Sequence, residues 1–161
     1  MFQKVKKEEG FSLVELLVVI AIIGVLAAAG VIGYNKYLSG AKDSTHANNA
    51  ATLAQALKTT AIARNGNLAA SSLSPACSLN NASGTALTSD VSSILPCAQD
   101  LASDFKSPYD NSTGSGYVSG TGICSDNNKG KITLDSTNVY ACDNSANTVG
   151  STKYKESSDQ F

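Results

Sequence analysis

The carboxylate of Glu15 lies at the start of a long apolar run, and no charged residue follows it from Leu16 to Asn35. The run is long enough to cross a bilayer as a helix, which requires about 20 apolar residues. An ionisable side chain inside such a helix costs roughly 3 kcal/mol even on lenient insertion scales. Pairing with a positive charge is the chemistry that offsets this cost. Glu15 is therefore a candidate functional residue.

The dipeptide Gly10-Phe11 separates the apolar run from a short charged leader. With Glu15 as the fifth residue after this junction, the N-terminus closely resembles that of a type IV prepilin. The resemblance implies that a prepilin peptidase cleaves after Gly10 on the cytoplasmic side and N-methylates Phe11. It is confined to the N-terminal residues, and the rest of the chain adds no motif of its own.

Two other kinds of N-terminal segment have a similar composition, namely a secretory signal and an uncleaved anchor. A secretory signal is cut after its apolar region, whereas the Gly10-Phe11 junction precedes it. An ordinary anchor gains nothing from Glu15. The leader contains three lysines, which favour a cytoplasmic N-terminus, so the remainder is expected to be delivered across the inner membrane. They are Lys4, Lys6 and Lys7.

Helical character is expected to continue beyond the apolar run. The pattern predicts an N-terminal spine helix over residues 11–65, with a transmembrane segment over residues 11–34. Gly66 supplies a stop signal. Outside the membrane, His46 is interpreted as a solvated helix residue. A narrow apolar face is expected to pack on the rest of the domain. It consists of Ala50, Leu53, Ala54, Leu57 and Ala61.

Three glycines, Gly24, Gly30 and Gly33, interrupt the predicted transmembrane segment. Each costs about 1 kcal/mol relative to alanine in a helix interior. Type IV pilins often have a proline at the position of Ile32, so the chain departs from the family pattern there. We expect the glycines to provide the flexibility that a proline would give. The alternative is close helix packing, in which small residues are common.

Four cysteines lie in the polar part of the chain, beyond Gly66. An even count in an exported domain with a small core indicates two disulfides. Three pairings are possible. The short separations favour Cys77 with Cys97 and Cys124 with Cys142, each bridge contributing about 3 kcal/mol in the loop-entropy model. No C-x-x-C spacing is present, so a zinc site is not expected.

The rest of the chain predicts a small α+β domain. Residues 66–115 are expected to be an irregular αβ-loop region, with a short helix from Pro96 to about Phe105. Residues 116–161 are expected to form an antiparallel sheet of three or four strands. The tail from Asn144 is either an edge strand or loosely held. Tyr117–Cys124, Lys131–Leu134 and Val139–Cys142 are the β-prone runs. A spine helix packed on such a sheet is the pilin fold.

No catalytic arrangement is visible, and neither enzymatic activity nor a cofactor or metal is expected. The chain has a single histidine, no G-x-S-x-G elbow and no phosphate-binding G-x-G-x-x-G loop. Removal of residues 1–10 leaves nine basic and eleven acidic side chains, a net charge of −2. This charge does not require a nucleic-acid partner. The sequons at Asn81 and Asn111 are attributed to composition, and the C-terminal lysines to a solvated surface.

The function predicted is that of a type IV pilus subunit, held in the inner membrane as a precursor and polymerised into an extracellular filament. Head-to-tail contacts between copies produce such open filaments. The resemblance implies four partners: other copies of the chain, the prepilin peptidase, an assembly ATPase and its membrane platform. A type II secretion pseudopilin, a minor tip pilin that binds DNA or surfaces, and a membrane-tethered enzyme are the alternatives. Motility, adhesion, DNA uptake and electron transport all remain open as roles for the fibre.

Overall fold

The computed structural model describes residues 10–65, 75–78, 90–120 and 122–154. The leader up to residue 9, most of the connection that follows residue 65 and the last residues from 155 lie outside the described residues. The chain divides into two compact units, Met1–Ser39 and Gly40–Phe161.

Helix α1 spans Leu13–Asn65 and begins in the first unit. Among the described residues, α1 is the helix that is long and apolar enough to cross a membrane. Its most apolar 18-residue window has a mean hydropathy of 2.9. None of that window is buried inside the structure. The apolar side chains of this segment are therefore not core residues of the chain's own fold.

In the second unit, α1 buries one face from Gly40 onward. Ala50, Leu53, Ala54 and Leu57 are all at most 1% exposed, as their helical spacing predicted. Ala61, which was assigned to the same face, is only half-buried. The prediction of a solvated His46 is wrong, because its side chain is fully buried. It lies four residues before Ala50 and therefore on the same side of the helix.

The sheet that packs on this face has four strands in the order β1-β2-β3-β4. They are β1 (Val118–Ser119), β2 (Ile132–Leu134), β3 (Asn138–Cys142) and β4 (Thr148–Lys153). The predicted α+β class is confirmed, but the sheet is mixed and not purely antiparallel, since β1 runs parallel to β2. The connection over residues 120–131 explains the difference. It is about a dozen residues long, the length that a parallel pair requires.

The tail forms the edge strand β4 up to Lys153, one of the two outcomes expected for it. Its neighbour Tyr154 is buried. The Tyr154 backbone N–H donates to the carbonyl oxygen of Thr137 at 2.9 Å, and its hydroxyl donates to that of Asp135 at 2.8 Å. These two hydrogen bonds hold the end of β4 against the β2–β3 turn.

A second helix, α2, spans Val91–Leu101 and starts earlier than the helix predicted from Pro96. Asp90 precedes it, and the Asp90 carbonyl oxygen accepts hydrogen bonds from the N–H groups of Ser93 and Ile94. Pro96 lies inside the helix, where it removes one backbone hydrogen bond. The buried residues Ile94, Cys97 and Ala98 anchor α2 in the core, which explains why the helix forms despite the proline.

Two disulfides join Cys77 to Cys97 and Cys124 to Cys142. The first connects the short helical turn Pro75–Cys77 to α2. The second connects the loop before β2 to the end of β3. Three of the four cysteines are at most 1% exposed, namely Cys77, Cys97 and Cys142. Both bridges therefore reinforce a domain whose apolar core is small.

Candidate functional site

The Gly10-Phe11 junction lies immediately before α1 and outside any helix or strand. Phe11 is 87% exposed. A Cβ atom placed on Gly10 would meet nothing within 4 Å. An unpacked, non-helical peptide of this kind is the conformation that proteases cleave most readily.

Glu15 lies in the first turn of α1, where its carboxylate contacts the helix start. The Ser12 backbone N–H donates to Glu15 Oε2 at 2.8 Å, and the Ser12 carbonyl oxygen accepts from the Leu16 N–H at 3.2 Å. Ser12 is thus in the N-cap position, with Glu15 three residues later. This spacing is that of a capping box, and the reach of the Glu side chain back to the cap N–H is one of its two hydrogen bonds.

The apolar half of α1 is exposed along its length. Its exposed side chains include Leu13, Val14, Leu16, Leu17, Ile20, Ile23, Val25, Leu26, Val31 and Ile32. Soluble monomers rarely expose an apolar surface of this extent, and such surfaces mark contacts with a membrane or with other proteins. The arrangement therefore provides an apolar helix face with one carboxylate at its start.

The three glycines lie within this half of α1, and the helix continues through them. A Cβ atom at Gly24, Gly30 or Gly33 would meet nothing within 4 Å. Within a single chain, no contact requires glycine at these positions. Their predicted role in flexibility remains a prediction.

The C-terminal lysines and the sequons are the remaining polar features considered in the sequence. Lys129 is paired with Asp126 at 2.8 Å, and Asn128 caps the turn by accepting from the Ser125 N–H at 2.6 Å. Asn111 is exposed in a turn with a φ of 61°, while Asn81 lies outside the described residues. Among the residues that the structure describes, no group of His, Cys, Asp and Glu side chains is arranged to hold a metal ion.

His46 is the site that sequence reasoning missed. Its ring contacts Tyr117 and the backbone of Lys131, and Asn49 contacts the same Tyr117 hydroxyl. The available signal was the spacing, since His46 precedes Ala50 by four residues on the apolar face. A polar residue in line with a buried face predicts a buried hydrogen-bonded group.

Comparison with known proteins addresses the N-terminal residues. The model of the prokaryotic N-terminal methylation motif matches residues 5–31. A fimbrial protein of Moraxella nonliquefaciens is 48% identical over 52 residues, which is 32% of this chain. Both findings support a type IV pilin. No solved structure matches the chain.

The match to the fimbrial protein covers about a third of each of the two chains. It spans 31% of the relative's length, so the likeness concerns the N-terminal region. The motif includes the junction, Glu15 and most of the apolar half of α1. The likeness to a type IV pilin thus rests on these N-terminal residues, and the mixed four-stranded sheet packed on a long helix is consistent with a pilin fold.

Proposed function

We propose that this chain is the precursor of a type IV pilus subunit, which is cleaved, N-methylated and polymerised through α1. The observation that carries the proposal is the exposed apolar face of α1, with Glu15 as its single carboxylate, directly after the exposed Gly10-Phe11 junction. A membrane covers this face before assembly, and the α1 helices of other copies cover it in the filament. The second unit then forms the outer part of the fibre.

Processing takes place at the junction. A prepilin peptidase on the cytoplasmic side cuts after Gly10 and methylates the new amine of Phe11. The exposure of Phe11 and its position before the first helical residue support access by an enzyme. Since a Cβ at Gly10 meets nothing within the chain, a requirement for glycine there would originate in the peptidase.

Assembly depends on the pair of charges that cleavage creates. The new amine of Phe11 lies four residues before Glu15, which is about 6 Å along the axis once the helix extends to the new terminus. In the apolar interior of a filament, an unpaired carboxylate is costly, whereas one matched to a neighbouring subunit's amine is satisfied. Any slip of one subunit past the next leaves two buried charges alone. The pair therefore sets the axial register of the filament.

The partners and location follow from this role. The precursor resides in the bacterial inner membrane, and the assembled subunit is extracellular. An assembly ATPase acts through a membrane platform to add subunits to the fibre. The subunit contacts other copies of itself head to tail, which yields an open filament.

The test is the mass and assembly state of the native subunit. Fibres sheared from cells are imaged by electron microscopy, and the intact mass of their subunit is measured. We expect long fibres made of a chain that begins at Phe11 and carries one additional methyl group. A native chain that retains Met1, or that is cut after the apolar region, would refute the proposal.

A pair of leader variants tests the site of cleavage. Gly10→Leu is expected to leave uncut precursor in the membrane, because the bulky side chain blocks the peptidase and not the fold. Val5→Leu is the matched control, which changes the leader away from the junction and should be processed normally. Normal cleavage of Gly10→Leu would contradict the assigned junction.

A further inference from the structure

The only histidine of the chain lies at the centre of a buried hydrogen-bonded group. His46 Nδ1 is 2.5 Å from the Tyr117 hydroxyl oxygen, and Nε2 is 3.1 Å from the carbonyl oxygen of Lys131. Asn49 Nδ2 donates to the same Tyr117 hydroxyl at 3.2 Å. His46 and Tyr117 are both 0% exposed. These four residues are called the His46 relay here.

The acceptor at one end fixes the proton positions along the whole relay. The carbonyl oxygen of Lys131 only accepts, so Nε2 of His46 must carry the proton. A neutral imidazole has one N–H, so Nδ1 is bare and accepts from the Tyr117 hydroxyl. The Tyr117 oxygen in turn accepts from Asn49. Each polar atom of the ring is satisfied in the neutral form.

The relay joins the helix to the sheet. His46 and Asn49 belong to α1, Tyr117 directly precedes β1, and Lys131 directly precedes β2. We propose that His46 is an acid-sensitive latch, which holds the sheet on α1 while the ring is neutral and weakens this contact when the ring takes up a second proton. A proton on Nδ1 would face the Tyr117 hydroxyl hydrogen. The hydroxyl would have to turn away inside a buried site, and its hydrogen would lose its acceptor.

Two carboxylates, Asp43 and Asp143, act on the ring through space, and each accepts hydrogen bonds from other groups. Asp43, on α1, accepts a hydrogen bond from the Tyr109 hydroxyl. Asp143, which follows β3, accepts from the N–H groups of Ser145 and Asn147 at 2.7 and 2.8 Å. Tyr109 presents its ring edge to His46, with centroids 5.4 Å apart. Lys131 faces the ring through its carbonyl group.

Burial is the dominant influence on the ring and lowers the pKa of His46 below its usual 6.5, against opposing effects of nearby carbonyls and of Asp43 and Asp143. His46 therefore binds a second ring proton less readily in the folded state than in the unfolded chain. The stabilisation is complete above pH 6.5 and is lost as the pH falls through the lowered pKa of the folded state.

The carboxylate of Asp135 affects the stability of the fold in a separate, more acidic pH range. The pKa of Asp135 is lowered to about 2 from 3.8, in spite of its burial, by hydrogen bonds from Tyr140, Thr137 and Asn138. The stabilisation it provides is present above pH 3.8 and lost as the pH falls toward 2. A loss of stability that begins as the pH falls below 6.5 therefore separates His46 from Asp135, whose contribution is lost only below pH 3.8.

The test uses the full chain in detergent micelles with a ¹⁵N-labelled histidine ring, so that a single residue produces every ring signal. At about pH 8 we expect the proton on Nε2 and a bare Nδ1, and we expect the ring to remain neutral below pH 6.5. A proton on Nδ1, or a ring that titrates at or above 6.5, would overturn the proposal.

Urea unfolding of the wild type and of His46→Gln provides the second readout. The wild-type unfolding constant should rise as the pH falls from about 7.5 to about 5, and this rise should be absent in His46→Gln. An equal rise in both chains would overturn the latch. Tyr117→Phe removes the donor to Nδ1 and is expected to raise the pKa of the ring relative to the wild type. An unchanged or lower ring pKa in Tyr117→Phe would show that the relay does not hold the neutral form.

Discussion

At the scale of single residues, Glu15 combines two roles that a carboxylate can have at the start of an apolar helix. Its side chain accepts from the Ser12 N–H, which contributes about 0.3–1.5 kcal/mol to the helix start. Its charge is also available to the amine of Phe11 in the proposed filament. The two roles differ in what they require, because capping needs only an acceptor oxygen, whereas register needs a negative charge.

Two substitutions of Glu15 separate these roles. Glu15→Gln keeps an acceptor for the cap and loses the charge, while Glu15→Ala loses both. Breaking a buried ion pair costs about 3–5 kcal/mol, more than about a hundredfold in an equilibrium constant. We expect both variants to insert and to be cleaved. Fibre yield should be lowest for Glu15→Ala and intermediate for Glu15→Gln.

Fibre yield must be measured beside the membrane level and the cleaved fraction of each variant. Normal fibres from Glu15→Ala at normal subunit abundance would show that Glu15 does not set the register. A yield from Glu15→Gln equal to that of the wild type would assign the effect to capping alone.

Residue types placed Glu15 at the start of the apolar helix, where it lies in the first turn of α1, and its role in assembly stays a prediction. The same reasoning failed at His46. The charge pattern of the apolar run is local and needs no knowledge of the fold. The environment of His46 depends instead on Tyr117 and Lys131, which are 71 and 85 residues away in sequence. Only the tertiary structure brings those partners to the ring.

At the scale of elements, the sheet approaches α1 closely at Gly150 in β4. A Cβ atom at Gly150 would lie 2.8 Å from the Cβ of Ala47 and 3.2 Å from its Cα. Ala47 belongs to α1 and Gly150 to β4, so neither residue moves without displacing the helix or the strand. Glycine at this position is therefore a packing requirement of the helix–sheet contact.

This contact predicts that Gly150→Ala destabilises the second unit by about 1–3 kcal/mol, the usual cost of overpacking. The measurement is the free energy of unfolding of the full chain in detergent, obtained with urea. Ala47→Gly costs about 1 kcal/mol of helix propensity by itself. Combined with Gly150→Ala it should restore the space, so that the double variant is more stable than the sum of the two changes predicts.

Ser151→Ala, at an exposed position beside Gly150, is the control and should leave stability nearly unchanged. Strictly additive effects of the Ala47 and Gly150 changes would contradict the proposed close contact.

The elements also show where sequence patterns suffice and where they do not. The buried face of α1 has a regular helical period, so Leu53 and Leu57 were assigned correctly from spacing alone. The predicted start of α2 at Pro96 is wrong, because buried neighbours hold this proline inside the helix. The parallel pairing of β1 with β2 depends on where a long connection returns, which local β propensity does not encode.

At the scale of the whole molecule, the two units are stabilised in different ways. The second unit has a buried core, and two disulfides reinforce it. The first unit leaves its apolar side chains exposed, so its stability must come from surroundings that the single chain does not supply. Substitutions in the first unit are thus expected to affect insertion or assembly, and those in the second unit to affect folding.

The glycines of the first unit provide the corresponding prediction for assembly. Replacement of Gly24, Gly30 and Gly33 by alanine adds Cβ atoms that meet nothing within 4 Å in the single chain, and each change favours the helix by about 1 kcal/mol. The subunit should therefore reach the membrane and be cleaved normally. Fibre yield should fall, because the proposed filament needs either close helix contacts or local flexibility at these positions.

Gly40→Ala, in α1 but outside the predicted transmembrane segment, is the matched control, since its Cβ also meets nothing within 4 Å. This variant should assemble normally. The measurement is fibre yield relative to the cleaved subunit in the membrane. Wild-type yield from the triple variant would show that the glycines have no role in assembly, and a low membrane level would place their role in insertion.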